Sequence, residues 1–280
     1  MPAARSQTAP ARNTLPARAP GGYARAMLIE NPWFWAAAVP AVLIVGISKG
    51  GVGGGLGTVG VPILSLVVDP RIAAAVLLPV LCLIDLMSLK AYWGRWHRRN
   101  MRILIAAAMI GILAGALTFR HLDADAIRVL IGVIAILFAL RTWLGARRSD
   151  RPASAPNVLR GGLWGAVAGF TSFVSHNGGP PVAVYLLPQK LDKTLYQATT
   201  VVFFAAINYV KLVPYWLLGQ FPATNLTVSA ALFPLAVAGT LLGVWLHTRI
   251  SDRLFFIAAY VLLFGIGLKL VYDGMTGLLA

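Results

Sequence analysis

The chain has 280 residues, of which 58% are hydrophobic and 12% charged, with a formal net charge of +15. Soluble domains carry about a quarter charged residues, so this composition excludes a disordered chain, a coiled coil and an ordinary soluble enzyme, and indicates a protein that crosses a membrane several times. The single cysteine, Cys82, excludes a disulfide framework and a multi-cysteine metal site. The basic residues sit in short clusters between apolar runs, so the charge surplus reads as membrane topology and not as a nucleic-acid surface.

Residues 1–30 hold Arg5, Arg12, Arg18 and Arg25 with several Pro and Ala and one acid, Glu30, which describes a mobile Arg-rich tail. Asn31-Pro32 followed by Trp33, Phe34 and Trp35 reads as an interface anchor and not as a cleavage site. The apolar region 33–68 is broken by Gly and Pro. Full spans of about 20 residues are predicted near 72–93, 102–120, 126–145, 194–218, 226–247 and 253–273, and a second broken apolar region covers 161–188. The predicted organisation is a tail over 1–30, a first transmembrane repeat over 31–145, a cytoplasmic linker over 146–160 and a second transmembrane repeat over 161–280.

Charge orients the spans. Arg95, Arg98, Arg99 and Arg102 place 94–102 inside, as do Arg147, Arg148, Arg151 and Arg160 for 146–160. Asp123 and Asp125 place 121–125 outside, 219–225 carries no charge and is also placed outside, and Arg249 and Arg253 return 248–253 to the inside, which leaves the C-terminus outside. Segment 161–188 then crosses an even number of times in too few residues for two full spans, so it is expected to be a re-entrant hairpin of two half-helices. Region 40–68 is its expected counterpart. The charge of the tail favours a cytoplasmic N-terminus, whereas strict repeat symmetry favours its export.

The two halves resemble each other. Gly60-Val61-Pro62-Ile63 aligns with Gly179-Pro180-Pro181-Val182, Asp85 with Asn208, Tyr92-Trp93 with Tyr215-Trp216, and Ala114-Gly115 with Ala238-Gly239. Paired Gly/Pro-broken segments in two inverted halves are the sequence pattern of secondary transporters, whose site lies near the bilayer midplane. The fold class expected is therefore an all-α polytopic membrane protein of two inverted repeats, each a broken re-entrant hairpin plus three transmembrane helices.

The segment Gly46-Ile-Ser-Lys-Gly-Gly-Val-Gly-Gly-Gly-Leu-Gly-Thr-Val-Gly-Val-Pro62 resembles the glycine-rich first motif of the sulfite exporter TauE/SafE family, and Asn177-Gly-Gly-Pro-Pro-Val-Ala-Val-Tyr-Leu-Leu187 resembles that family's second-half motif. The resemblance covers about 40–273. It implies a two-repeat carrier moving sulfite, sulfonates or related sulfur-containing anions, mostly outward. The chain departs from the commonest pattern at Ile84-Asp85-Leu86, where many members carry a Thr-Asn-Lys-like step.

The candidate site residues follow from polar chemistry in apolar surroundings. Gly51, Gly53, Gly54 and Gly55 belong to a run too glycine-rich for a stable lipid-facing helix. Their amides can converge on an anion, or the small residues can let helices pack closely. Lys49 beside them either marks an anion pathway or snorkels to an interface. In the second half Ser175, His176, Asn177, Gly178 and Gly179 form the matching break, where Asn177 offers two donors and His176 either carries a proton or caps a half-helix. Asp85 and Lys211 are expected as a charge pair between repeats, with Asp85 the candidate proton carrier, and Asn208 and Tyr209 as lesser hydrogen-bond donors to substrate. No catalytic constellation or metal cluster is present, and Gly55-x-Gly57-x-x-Gly60, which spells a dinucleotide fingerprint, lacks the strand-turn-helix context that such a cofactor site needs. The enzyme reading has no support, and an anion channel is the competing function. The expected partners are a small anion and the lipid bilayer, with no nucleic acid; a homodimer is admitted, and the expected location is the bacterial cytoplasmic (inner) membrane.

Overall fold

Two Asx-Pro steps start the first long helices. The Asn31 side chain accepts from the Trp33 amide at 3.0 Å and that of Asp69 from the Arg71 amide at 2.7 Å. The proline after each sits at the first helical position, where a missing N–H leaves nothing unpaired. The computed structural model describes residues 28–52, 57–145, 152–246 and 252–280; residues 1–27 of the predicted tail, 146–151 of the predicted linker and three of the candidate glycines, Gly53, Gly54 and Gly55, lie outside the described residues. All regular structure among the described residues is helical.

The first half comprises α1 (Pro32–Ile47), a π-helical turn (Ser48–Val52), a 3-10 turn (Gly57–Val59), α2 (Gly60–Ser65), α3 (Pro70–Tyr92), α4 (Arg98–His121) and α5 (Ala124–Gly145). The second comprises α6 (Val158–Ser175), α7 (Gly179–Leu186), a 3-10 turn (Leu187–Gln189), α8 (Lys193–Leu217), α9 (Ala223–Leu246) and α10 (Asp252–Leu279). Both halves therefore run in the same order: a long helix, a break, a short helix and three long helices. The six predicted spans fall on α3, α4, α5, α8, α9 and α10. The limbs of the broken segments are unequal. The second pairs an 18-residue helix, about 27 Å long, with one of eight residues, and the first pairs 16 residues with six. With its π turn, α1 is itself long and apolar enough to cross a membrane, which makes seven such helices among the described residues. The chain is an integral membrane protein, with Leu113, Leu117, Leu144, Leu163, Leu217 and Leu241 exposed on its outer faces as lipid-facing side chains should be.

Packing partners are reciprocal between the halves. Helix α1 packs on α9 and α6 on α4; α9 also packs on α3 and α4 on α8; α3 meets α8, and α5 meets α10. Small residues allow the closest of these approaches. A Cβ on Gly50 would overlap the Thr240 carbonyl of α9, and one on Gly169 of α6 would overlap the Ala108 carbonyl of α4. Gly50 and Gly169 are separated by the same offset that relates Gly60 to Gly179. At Gly50 the glycine run thus serves helix packing. The two central helices, α3 and α8, are the most enclosed of the crossing helices and carry Asp85, Asn208 and Lys211.

Candidate functional site

The site is built where the breaks meet the central helices. Helix α6 stops because His176 turns into the left-handed region, at φ 55° and ψ 25°. That conformation costs a non-glycine residue about 1 kcal/mol or more and persists because several bonds fix it. The His176 amide donates to the Ser172 carbonyl at 3.1 Å. The ring Nε2 lies 3.0 Å from the Ala74 carbonyl of α3. Nδ1 lies 3.0 Å from the Ser172 carbonyl, so both ring nitrogens face a carbonyl, which only accepts. Where Lys211 donates to Nδ1 as an ammonium, Nδ1 is the acceptor and Nε2 carries the ring hydrogen.

The donor to Nδ1 is Lys211 of α8, 2.9 Å away. Its Nζ also donates to the Ser172 carbonyl at 2.8 Å and the Ser172 hydroxyl at 3.0 Å. Three acceptors match the three hydrogens of an ammonium. Lys211 is 0% exposed, and its charge sits at the C-terminal end of α6, where the helix dipole presents negative charge. Neutral groups make up all three of its contacts.

The only buried carboxylate among the described residues, Asp85 of α3, lies elsewhere in the cluster. Its Oδ1 is 2.5 Å from Lys49 Nζ in the π turn, and its Oδ2 accepts from Asn208 Nδ2 of α8 at 2.6 Å. The expected Asp85–Lys211 pair does not form: the break after α1 delivers Lys49 to Asp85, while the end of α6 claims Lys211. Asp85 and Asn208, aligned in the two halves, touch each other where α3 meets α8. The Lys49 ammonium also lies 6.0 Å from the centroid of the Phe204 ring.

Asn177 is 0% exposed, and neither its side-chain Oδ1 nor its Nδ2 has a hydrogen-bond partner. Its backbone is fully used: the amide donates to the Thr171 carbonyl at 3.1 Å, and its carbonyl accepts from the Thr171 hydroxyl at 3.0 Å. Ser175 turns back on its own helix, donating to the Thr171 carbonyl at 3.2 Å, so its hydroxyl is spent locally. Gly178 lets the break press against the Ala168 carbonyl and the Phe204 ring, which a Cβ would approach to 2.9 Å. Gly179 opens α7, but Pro180 and Pro181 follow and have no amide hydrogen, so that helix start offers fewer anion-binding amides than an ordinary one. Gly51 lies in the π turn. Tyr209 is 39% exposed, and its hydroxyl makes a long 3.4 Å contact with the Cys82 carbonyl.

Two participants were not legible as site residues. Ser172 receives Lys211, yet a serine in an apolar helix most often bonds its own backbone. Phe204 looks like any core aromatic. The cluster is closed on one flank by Phe119, Phe173 and Tyr215, whose hydroxyl donates to the Phe173 carbonyl at 2.7 Å. No group of three His, Cys, Asp or Glu side chains that could hold a metal occurs among the described residues.

The family model for sulfite exporter TauE/SafE matches residues 38–270, which takes in both broken segments and every residue of this cluster. The chain belongs to the sulfite exporter TauE/SafE family. Among curated proteins and among solved structures, nothing matches it significantly. As a TauE/SafE protein it is a membrane transporter of the sulfite-exporter type, and its buried polar cluster draws residues from both halves of the chain.

Proposed function

We propose that this TauE/SafE protein is a secondary carrier that exports a small sulfur-containing anion, sulfite or an organosulfonate, across the bacterial cytoplasmic membrane. One observation carries the reading: the enclosed centre holds two lysines but a single buried carboxylate, Asp85, which pairs with Lys49 and leaves Lys211 with neutral acceptors alone. An uncompensated buried charge is costly, and an anionic substrate supplies the missing negative charge. Lys49, Lys211, Asn177 and Asn208 would hold the anion, with His176 orienting Lys211. Backbone amides of Gly51, Gly53, Gly54, Gly55, Gly178 and Gly179 would complete the site, and Ser175 and Tyr209 belong to its surroundings.

The carrier would work by alternating access. The halves are read as inverted repeats with re-entrant broken segments, supported by the shared element order and the reciprocal packing of α1 on α9 and α6 on α4. Rocking of one half against the other would expose the anion to either side. Protons would couple through Asp85: protonation removes its charge from Lys49 and leaves the ammonium to the substrate. The C-terminus is read as outside, and a homodimer remains compatible with the exposed apolar faces.

Reconstituted vesicles test the reading. Radiolabelled sulfite should enter with saturable kinetics and show counterflow against unlabelled sulfite inside, and Lys49→Ala should abolish both while the purified variant stays folded. Unsaturable flux without counterflow would sink the carrier in favour of a conducting pore.

A further inference from the structure

Asn177 is the one asparagine in the cluster whose side chain is unanswered: Asn208 has Asp85, whereas Asn177 is wholly buried with both a donor and an acceptor left over. An amide in that condition is satisfied by a ligand that accepts at one atom and donates at another. The charge inventory adds a second constraint. Lys49 and Asp85 cancel, and with the Lys211 ammonium donating to Nδ1, His176 is the neutral Nε2–H tautomer, which leaves Lys211 as a single positive charge. One negative charge neutralises the cluster, whereas a dianion would leave it negative inside a low-dielectric enclosure.

Resting on the sulfur-anion reading above, we infer that the site recognises a singly charged oxyanion bearing a hydroxyl group, which among simple sulfur species is hydrogensulfite and not the sulfite dianion. The Asn177 Nδ2 donates to an oxygen of the anion and its Oδ1 accepts the hydroxyl hydrogen, with Lys211 supplying the balancing charge from behind Ser172 and His176. Methanesulfinate replaces the hydroxyl of hydrogensulfite by a methyl group at the same charge and shape. It leaves Oδ1 unpaired, which costs roughly a 10- to 100-fold loss of affinity.

Titratable groups around the break are His176 itself, Lys211 and Tyr215 of α8, Cys82 and Asp85 of α3, and Lys49 of the π turn. Any change in their protonation acts on methanesulfinate and on sulfite alike. Only the sulfite system changes its own protonation near neutral pH, so the pair separates ligand titration from protein titration.

The experiment is equilibrium binding of sulfite, methanesulfinate and sulfate to the full-length protein in detergent across neutral pH. The expected result is an affinity for total sulfite that falls about tenfold per pH unit on the alkaline side, because only the protonated fraction binds, with methanesulfinate weak and level and sulfate undetectable. Asn177→Leu removes both the donor and the acceptor, so it should weaken sulfite more than methanesulfinate and erase the preference between them. Asn177→Asp, close to the same shape, should lose both anions. Sulfite binding that strengthens as pH rises, or sulfate held as tightly, overturns the assignment in favour of a dianion. Equal binding of sulfite and methanesulfinate, unchanged in Asn177→Leu, also overturns it and leaves Asn177 answered by water alone. Failure of all three anions to bind removes the sulfur-anion reading and this inference with it; the other failures leave that reading standing.

Discussion

At the residue scale, the two lysines make opposite predictions. Lys211 is a buried ammonium with three neutral acceptors and no carboxylate in contact. Its desolvation is poorly offset, and replacing an incompletely compensated buried charge by an apolar side chain of similar length is often neutral or stabilising. Lys211→Met should therefore unfold at the same or a higher temperature while losing sulfite binding, and a large fall in unfolding temperature together with retained binding would make Lys211 a structural cap of α6. Asp85 is different, because it answers both Lys49 and Asn208. Asp85→Ala strands a second ammonium in the same enclosure and should destabilise by roughly 3–5 kcal/mol. Asp85→Asn, which keeps the shape, should recover part of that loss but abolish stimulation of transport by a pH gradient. Thermal unfolding in detergent and vesicle flux read the two variants.

At the element scale, the fold depends on helices that approach closely without side chains between them. Gly50 holds the π turn that follows α1 against α9, and Gly169 holds α6 against α4, with backbone in close approach. A methyl group at either position forces the helices apart, and overpacking of this kind costs roughly 1–3 kcal/mol. Gly162, in the first turns of α6, has nothing within 4 Å of an added Cβ, so Gly162→Ala should be harmless or stabilise by about 0.5–1 kcal/mol through helix propensity. Unfolding temperatures of Gly50→Ala, Gly169→Ala and Gly162→Ala should fall, fall and hold; equal behaviour of all three would refute close packing as the reason for these glycines.

The element boundaries were largely legible. Apolar runs between Arg clusters, Asx-Pro starts and Gly/Pro interruptions are local signals, and the six predicted spans fall on six long helices for that reason. The lengths of the two limbs were not legible. How far α1 and α6 run before they break depends on the neighbours they pack against, α9 and α4, which lie far away in the sequence.

At the scale of the whole molecule, each half contributes a break and a central helix, and the same residue pattern recurs with its packing partners exchanged. If the halves are inverted, equivalent loops face opposite sides of the membrane. In a Cys82→Ser background, Arg95→Cys, between α3 and α4, and Ala223→Cys, at the equivalent junction of α8 and α9, test this. An impermeant maleimide should label Ala223→Cys in intact cells and Arg95→Cys only after permeabilisation. Labelling of both from the same side would rule out inverted repeats.

The sequence by itself determined that this protein spans a membrane, that its two halves are alike, that it resembles the TauE/SafE family and that polar residues gather at two breaks. Each of these rests on composition, periodicity or local spacing. Only the tertiary structure decided the pairing inside the cluster. Asp85 could have met Lys211 or Lys49 as far as its own helix was concerned, and the choice follows from which break approaches α3. The unanswered state of Asn177 was likewise invisible in the sequence, because whether a buried amide has a partner depends on every element that packs around it.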